Sequence, residues 1–381
     1  MRQYALLLAL LATTGCLGGP GYPASTPITS STTPSTKPLE QSPTETPLPT
    51  IEPELSLPTP EGTSPPTAPP QTPEPTAPPE PIQQDLTLIW EYDTGFDVYG
   101  VGITEDGEMI VAGSGDFNLY AFNRTGGSLW QFKAFGAVND VSITPKGDRI
   151  VATSYVTPNG TVYLLDSKGR LIWKRTLESF AKGVDISSDG DTIALGLGNG
   201  KIRVLDKNGK TLWDYETRHS AWGVWDVALK PDGGVVAGGD DTYFYILSPE
   251  GELIFNDSKG SGLYVHGVAV SEDGSYIGVA SHGKRVGQEA FEAFIYLYQG
   301  TKLLWRYKTG RLNYGVALTK RGDLVAAGSW DKNLYLLNNR GELVVKYPMG
   351  SYVNRMAFSG DGKYLVAGTV DGGIHFFEVG Q

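Results

Sequence analysis

The feature that most constrains the fold is a phrase that recurs about every 40 residues. Each copy is a short apolar run, a polar turn with glycine, and a second run that ends in tryptophan, as in VYLLDSKGRLIW at 162–173. The terminal anchors lie 40, 43, 40, 42, 50 and 40 residues apart, and they are Trp90, Trp130, Trp173, Trp213, Phe255, Trp305 and Val345. A period near 40 with four short strands per unit predicts the blades of a β-propeller.

One repeat unit shows the predicted strands clearly. Strands A to D are expected at 98–104, 108–114, 118–122 and 128–132. The turn between A and B recurs seven times as a polar residue followed by glycine, as in Asp106-Gly107, which supplies the left-handed backbone of a hairpin. The spacing of these acidic residues differs from that of a calcium-binding EF-hand loop, so we interpret them as hairpin residues. Continuous apolar runs such as 109–113 indicate sheets that are buried on both faces.

The two ends of the repeat region complement each other. The repeats begin with a lone D-type strand at 87–92 and end after a C-type strand at 373–379. We therefore predict that the first strand completes the last blade, which closes a seven-bladed ring with no open edge. The predicted fold is an all-β, seven-bladed propeller over 86–381, in which each strand D tryptophan packs against the next blade.

The N-terminus has the layout of an export signal. Residues 1–15 contain a positive start and an apolar run at 5–12, which is too short to span a bilayer. Small residues precede Cys16, the one cysteine of the chain, in a pattern that resembles a lipobox. The resemblance implies that Cys16 becomes the lipid-modified first residue, whereas an ordinary secretory signal is the alternative. A single cysteine also excludes an internal disulfide.

Residues 16–85 are predicted to be a disordered stalk. Twenty of the 25 prolines lie between Pro20 and Pro81, among many serines and threonines, so this segment lacks backbone donors and apolar surface. The composition suits an O-glycosylated stalk, and an unmodified spacer is the alternative. A Thr/Pro-rich stalk behind a lipid-type cysteine resembles archaeal cell-surface lipoproteins, which implies a lipid anchor on the extracytoplasmic face of the cell membrane.

Two propeller families share motifs with the repeats. The D-x-x-G-x-x-L-W phrase at 164–173 and 204–213 resembles the repeat of quinoprotein (PQQ)-type propellers, while the patterns at 111–116 and 327–331 resemble WD40 repeats. Both resemblances imply a propeller. Quinoprotein dehydrogenases also have PQQ, a calcium site, a disulfide of adjacent cysteines and usually eight blades, and the assembly lipoprotein with PQQ-like repeats has eight blades too. Since this chain has one cysteine and seven predicted blades, we expect no cofactor.

Length differences between the repeats point to a binding face. They fall in the D–A and B–C connectors, notably at 155–159 and 281–293, and none falls in the A–B or C–D turns. These two connector types share one face of a propeller, and insertions gathered on one face mark a binding face. Neutral drift is the alternative, although drift would lengthen both faces.

Aromatic, amide and charged residues at this face suit a sugar or peptide ligand, since rings stack and amides form hydrogen bonds. The candidates are Tyr99, Asn139, Lys182, Trp222, Trp225, His266, His282, Arg285, Tyr314, Trp330 and Asn354. The alternative for each residue taken singly is packing or capping at the top of a blade.

No pattern in the sequence predicts a catalytic residue or a metal site. The net charge of −11 without a basic stripe argues against a nucleic-acid partner. Sequons at Asn123, Asn159 and Asn256 are candidate N-glycosylation sites. We therefore expect a non-enzymatic binding or scaffold module for protein or glycan on a cell surface. The alternative is a propeller enzyme, either a PQQ-dependent dehydrogenase or a carbohydrate-active enzyme, and a third possibility is a purely structural wall component.

Overall fold

A computed structural model describes residues 85–380, apart from residues 157, 220–222 and 287–289 and the side chains of 284–291. The predicted signal segment, the stalk and Cys16 lie outside the described residues. Within those residues, the chain contains no helix that is long and apolar enough to cross a bilayer.

Seven four-stranded antiparallel sheets make up the described part of the chain. Blade 1 contains β2 (Val98–Ile103), β3 (Met109–Ser114), β4 (Asn118–Asn123) and β5 (Ser128–Lys133). Blade 2 contains β6 (Ala137–Ile143), β7 (Arg149–Val156), β8 (Asn159–Asp166) and β9 (Leu171–Leu177). Blade 3 contains β10 (Ala181–Ile186), β11 (Thr192–Leu197), β12 (Lys201–Asp206) and β13 (Thr211–Glu216). Blade 4 contains β14 (Val224–Leu229), β15 (Val235–Gly239), β16 (Tyr243–Leu247) and β17 (Leu253–Ser258).

The remaining three blades include an inserted hairpin and the closing strand. Blade 5 contains β18 (Val265–Val270), β19 (Tyr276–Ser281), β22 (Phe294–Gln299) and β23 (Lys302–Lys308), and it carries the hairpin of β20 (Lys284–Val286) and β21 (Ala290–Glu292). Blade 6 contains β24 (Asn313–Leu318), β25 (Leu324–Ser329), β26 (Asn333–Asn338) and β27 (Leu343–Pro348). Blade 7 contains β28 (Val353–Phe358), β29 (Tyr364–Thr369), β30 (Gly373–Val379) and β1 (Leu86–Asp93). The predicted seven-bladed, all-β propeller is confirmed.

The ring closes by pairing the two ends of the repeat region. Strand β1 runs antiparallel to β30, with Leu86 opposite Val379 and Asp93 opposite Gly373. The rings of Trp90 and Phe376 stack across this pair at 5.2 Å. The first strands of the blades contact one another in order, and the ring ends where β28 meets β2. The prediction that the segment at 87–92 completes the last blade is therefore confirmed.

Hairpin turns join strands A and B in all seven blades. The glycine of each turn has φ between 70° and 88°, at Gly107, Gly147, Gly190, Gly233, Gly274, Gly322 and Gly362. Residues with a Cβ rarely adopt this conformation. The acidic residue beside the glycine shapes the turn, because Asp106 Oδ1 accepts a hydrogen bond from the Glu108 N–H at 2.9 Å. The hairpin interpretation of these acidic residues is confirmed.

The recurring tryptophans join each blade to the next one. Trp130 donates its indole N–H to the Ser167 carbonyl of blade 2 at 3.0 Å. A Cβ on Gly169, which has φ of +70°, would lie 2.6 Å from the Trp130 ring, so the ring rests on a position that only glycine can occupy. The same indole bond to the next blade is made by Trp90, Trp173, Trp213 and Trp305.

The two anchors that are not tryptophan occur where the next blade lacks this turn. Phe255 of blade 4 packs toward blade 5, in which only residues 300–301 separate β22 from β23. Val345 of blade 6 packs toward blade 7, in which β30 and β1 are the two ends of the repeat region rather than a hairpin. Tryptophan therefore occurs at the anchor position where the C–D turn of the next blade supplies a carbonyl acceptor.

Replacement of one anchor tests this account. We expect Trp213→Phe to lower the free energy of unfolding by about 1 kcal/mol, because it removes the hydrogen bond to Pro249 and keeps an aromatic ring. The reverse exchange, Phe255→Trp, should give no gain, since blade 5 lacks the longer turn. Urea unfolding of both variants and the parent measures the difference. Equal effects of the two exchanges would contradict the proposed role of the turn.

Candidate ligand-binding face

The D–A and B–C connectors are joined by backbone hydrogen bonds in blades 1, 3, 4, 5, 6 and 7. Gly115 N donates to Asp97 O at 2.8 Å in blade 1, His282 N to Tyr264 O at 2.7 Å in blade 5, and Trp330 N to Leu312 O at 2.8 Å in blade 6. The two connector types therefore lie at one end of the blades. The long connector of blade 5 forms the β20–β21 hairpin, and that of blade 2 extends β7 and β8.

A β-bulge interrupts the inner strand of every blade at the same position. In blade 1, Val98 pairs with Ser114 and Gly100 pairs with Gly113, so Tyr99 is the extra residue. The equivalent residues of the ring are Tyr99, Asn139, Lys182, Trp225, His266, Tyr314 and Asn354. A bulge leaves its extra residue out of the ladder and redirects its side chain, which explains why five different residue types are accommodated at these seven positions.

Two members of this ring hold neighbouring blades together. The side-chain amide of Asn139 donates to the Ala181 carbonyl of blade 3 at 2.9 Å. That of Asn354 donates to the Val98 carbonyl of blade 1 at 3.0 Å. These two asparagines therefore pack one blade against another, which was the alternative to a role in ligand binding.

The rings of blades 4 to 7 form a continuous stack, which we call the aromatic arc. Its members are Trp225, His266, His282, Tyr314, Trp330 and Tyr352. Ring centroids lie 4.0 Å apart for Trp225 and His266 and 4.4 Å apart for His266 and His282. Trp330 lies between Tyr314 at 4.7 Å and Tyr352 at 5.0 Å, nearly parallel to both.

A cation covers one end of the arc. Lys182 Nζ lies over the Trp225 ring, 2.9 Å from its centroid, so the two faces of this indole are occupied by an ammonium group and an imidazole. The ring quadrupole attracts the ammonium group. The arc is thus a rigid wall whose ring faces are largely in contact with one another.

The two histidines of the arc are neutral near pH 7. Burial lowers the pKa of His266 and lowers that of His282 to about 2. His266 Nε2 lies 3.0 Å from Asp240 Oδ1, and His282 Nε2 lies 3.1 Å from Tyr314 Oη. Since a carboxylate only accepts, neutral His266 donates from Nε2 and its Nδ1 is a hydrogen-bond acceptor.

Buried polar atoms without a partner concentrate around this arc. Within the described part of the chain, the buried Nδ1 atoms of His266 and His282 and the indole nitrogen of Trp330 have no hydrogen-bond partner. Both amide atoms of Asn313, which is fully buried beside Tyr314, are also unpartnered among these residues. A buried polar group without a partner destabilises the fold by about 1–3 kcal/mol. Blades 5 and 6 therefore present polar groups that packing alone does not satisfy.

Charged side chains fill the centre of the ring. Arg355 of blade 7 pairs with Asp226 of blade 4 at 2.5 Å, and its other Nη lies 3.3 Å from the Trp225 carbonyl. Asp140 accepts a hydrogen bond from Val184 N at 2.9 Å, and Asp185 accepts one from Leu229 N at 2.8 Å. These groups line a cavity of about 330 Å³ in the channel. The buried charges therefore connect blades that are far apart in sequence.

Glycine on the neighbouring inner strand makes room for these side chains. A Cβ on Gly100 would lie 2.7 Å from the Asp140 Cα, and one on Gly183 would lie 2.6 Å from the Asp226 Cα. Real Cβ atoms essentially never approach backbone this closely. The close approach of the next blade's backbone thus requires glycine at these two positions.

The channel carboxyls give a testable pH dependence. Burial raises the pKa of Asp140 to about 7 and that of Asp185 to about 6, against roughly 3.9 in an unfolded chain. The folded state therefore holds these protons more tightly, and the stability that they contribute is lost as the pH rises from about 4 toward 7. The lowered pKa of His282 acts in the opposite sense, since its contribution is lost as the pH falls below about 6.5.

Comparing the parent with Asp140→Asn isolates the contribution of the Asp140 carboxyl to the pH dependence of stability, because the contribution of His282 is the same in both proteins. We expect the free energy of unfolding of the variant, relative to the parent, to rise between pH 5 and pH 8 by on the order of 1 kcal/mol. Urea unfolding at both pH values measures it. In the control Asp166→Asn, the pKa of the replaced group is lowered to about 2 by its hydrogen bond with Arg170, so the difference should stay constant. A constant difference for Asp140→Asn as well would contradict the assignment.

The remaining candidates divide into described and undescribed residues. Trp222 lies outside the described residues, as does the side chain of Arg285 in β20. Tyr99 is half-buried on the blade 1 side, where burial and the Asp97 carboxylate raise its pKa. No group of three or more His, Cys, Asp or Glu side chains in the described ranges is arranged to hold a metal ion.

Sequence reasoning missed several residues that the structure brings to this region. Asp240, Asn313 and Tyr352 were not among the candidates, nor were the channel residues Asp226 and Arg355. A usable signal existed for the last two, because each is the one charged residue of its inner strand.

Two family profiles match parts of the chain. Residues 149–260 match the β-propeller domain of λ-carrageenase, and residues 342–378 match the WD domain, G-beta repeat. No curated protein matches the chain significantly. The chain is a β-propeller with WD40-like repeats. The resemblance to PQQ-type propellers stays a prediction.

Proposed function

We propose that the propeller is a non-enzymatic glycan-binding module, and that the glycan binds at the aromatic arc on blades 4 to 7. The observation that carries the proposal is the set of buried, unpartnered ring nitrogens at His266, His282 and Trp330. The Trp330 indole N–H donates, and His266 Nδ1 accepts. Sugar hydroxyls both donate and accept, so one polyhydroxylated ligand matches donors and acceptors that lie side by side.

The match to the λ-carrageenase propeller domain supports a glycan over a protein ligand. That name refers to an enzyme that acts on carrageenan, a polysaccharide. The matched segment, 149–260, contains Lys182, Trp225 and Asp240, which lie at the blade 4 end of the arc. The alternative to a glycan ligand is a protein partner that binds the same face.

The electrostatics of the arc favour binding over catalysis. A general acid or base works best when its pKa is near the operating pH, and burial lowers the pKa of His282 to about 2. The carbohydrate-active alternative rests on one observation, the hydrogen bond from His266 to Asp240, which is an arrangement that can orient an imidazole.

The N-terminal sequence supports placing this module on a cell surface. Residues 1–15 have the layout of an export signal, and Cys16 is the lipidation candidate. The proline-rich segment at 16–85 would hold the propeller away from the membrane. We propose an extracytoplasmic lipoprotein on this basis.

Ligand binding is tested on a glycan array. The chain carries Cys16→Ser, so that a lipid does not contribute to binding. We expect His282→Phe and Trp330→Phe to weaken binding of the best glycan roughly 10-fold or more, because each removes a polar ring nitrogen worth about 1–3 kcal/mol when buried.

The control is Arg170→Ala, an exposed residue in a C–D turn at the opposite end of blade 2, and it should bind as the parent does. Retention of full affinity in both arc variants would refute the site. Mass analysis of the glycan after prolonged incubation separates the two functional classes. A shortened or altered glycan would favour the enzyme.

Membrane anchorage has its own test. In cells that process bacterial or archaeal lipoproteins, we expect the parent chain in the membrane fraction and Cys16→Ser in the soluble extracytoplasmic fraction. Immunoblotting of both fractions measures the shift. The same distribution for both proteins would contradict lipidation at Cys16 and favour an ordinary secretory signal.

A further inference from the structure

An apolar patch lies on blade 2 of the connector face, away from the aromatic arc. Phe135, in the connector that enters blade 2, is 79% exposed, and Val156, at the end of β7, is 50% exposed. Covering these two exposed apolar side chains would be favourable, because apolar surface is favourably removed from water.

The strand register places Asn159 beside this patch. Val156 pairs directly with Asn159 in the β7–β8 hairpin, and directly opposed Cβ atoms in such a pair lie roughly 5 Å apart. Asn159, Thr161 and Tyr163 alternate along β8, so their side chains share one face of the sheet. The Phe135 N–H donates to Tyr163 Oη at 3.0 Å, which shows that the Phe135 connector crosses that same face.

The three sequons differ in accessibility. Asn123 is half-buried, and its amide oxygen accepts hydrogen bonds from Thr125 N, Thr125 Oγ1 and Gly127 N at 2.7–3.1 Å. Asn256 is half-buried in the outer strand of blade 4, opposite Tyr245. Asn159 is exposed at the tip of a hairpin. A glycosyltransferase therefore has the best access to Asn159.

We propose that Asn159 carries an N-linked glycan whose first sugar rings lie on Phe135 and Val156. The donor would be a lipid-linked oligosaccharide. A bond forms between Asn159 Nδ2 and the anomeric carbon, the bond to the lipid phosphate breaks, and the amide proton passes to the transferase. The apolar faces of the sugar rings then cover the Phe135 ring, while their hydroxyl groups remain in water.

This inference rests on the export proposed above, and it is independent of ligand binding at the arc. Blade 2 lies across the ring from blades 5 and 6, so a glycan there leaves the arc accessible. The modification would thus occupy one part of the connector face and the ligand another part.

Site occupancy is the first test. The full-length chain is produced in a host that exports and N-glycosylates proteins, and only exported protein is digested and analysed by peptide mass spectrometry. We expect occupancy at Asn159 to be several-fold higher than at Asn123 or Asn256. An unmodified Asn159 in exported protein overturns the proposal, whereas restricting the analysis to exported chains keeps a failure of export distinct.

A double-mutant cycle tests the contact with the apolar patch. We expect Asn159→Gln to lower the thermal unfolding midpoint by about 2 °C in the parent and to have no effect in a Phe135→Ser background. The matched control is Phe96→Ser, which replaces a 53% exposed phenylalanine in the connector to blade 1. In that background the effect of Asn159→Gln should persist.

Two results would overturn the proposed contact between the Asn159 glycan and the apolar patch. One is an equal effect of Asn159→Gln with and without Phe135. The other is a parent that sediments as a dimer and becomes a monomer on Phe135→Ser, because the patch would then be covered by a second copy of the chain.

Discussion

The architecture depends on one strand pairing, that of β1 with β30. Without it, blade 7 would have three strands, and the edge of β30 would be exposed. Closure also fixes the distances across the centre of the ring. Arg355 of blade 7 reaches Asp226 of blade 4 only because all seven inner strands converge on a narrow channel. A contact between residues about 290 positions apart in sequence therefore determines the geometry of every connector at the face.

The repeat produces a common scaffold on which individual residues take different roles. The same bulge occurs in all seven inner strands. Its extra residue donates a hydrogen bond to a neighbouring blade at Asn139 and Asn354. At Trp225, His266 and Tyr314 it belongs to the aromatic arc. A bulge residue makes no ladder hydrogen bonds that restrict its identity. The residue type at this position can therefore vary without disturbing the sheet.

The fold could be predicted because its signals are local and repeated. Turn glycines such as Gly107, the tryptophan phrase and the unpaired strand at 87–92 each follow from short-range chemistry, and they agree with one another. The ring of bulge residues was found by aligning the repeats. Whether a given member turns toward a neighbouring carbonyl, as Asn139 does, or toward another ring, as Trp225 does, depends on the distance to the next blade. That distance is a property of the closed ring, so the roles of Asp240 and Asn313 could not be predicted from the sequence.

The buried polar groups fall into two classes: those in the channel have hydrogen-bond partners, and several at the aromatic arc lack them. In the channel, burial of Asp140, Asp185 and Asp226 is offset by backbone N–H donors and by Arg355. Those groups serve the scaffold, because each already has its partners. At the arc, the unpartnered nitrogens of His266, His282 and Trp330 belong to rings that contact one another. A ligand that supplies the missing hydrogen bonds gains their energy with little loss of side-chain entropy. This difference in hydrogen bonding between the channel and the aromatic arc is the physical reason to propose that the ligand binds at the arc rather than inside the ring.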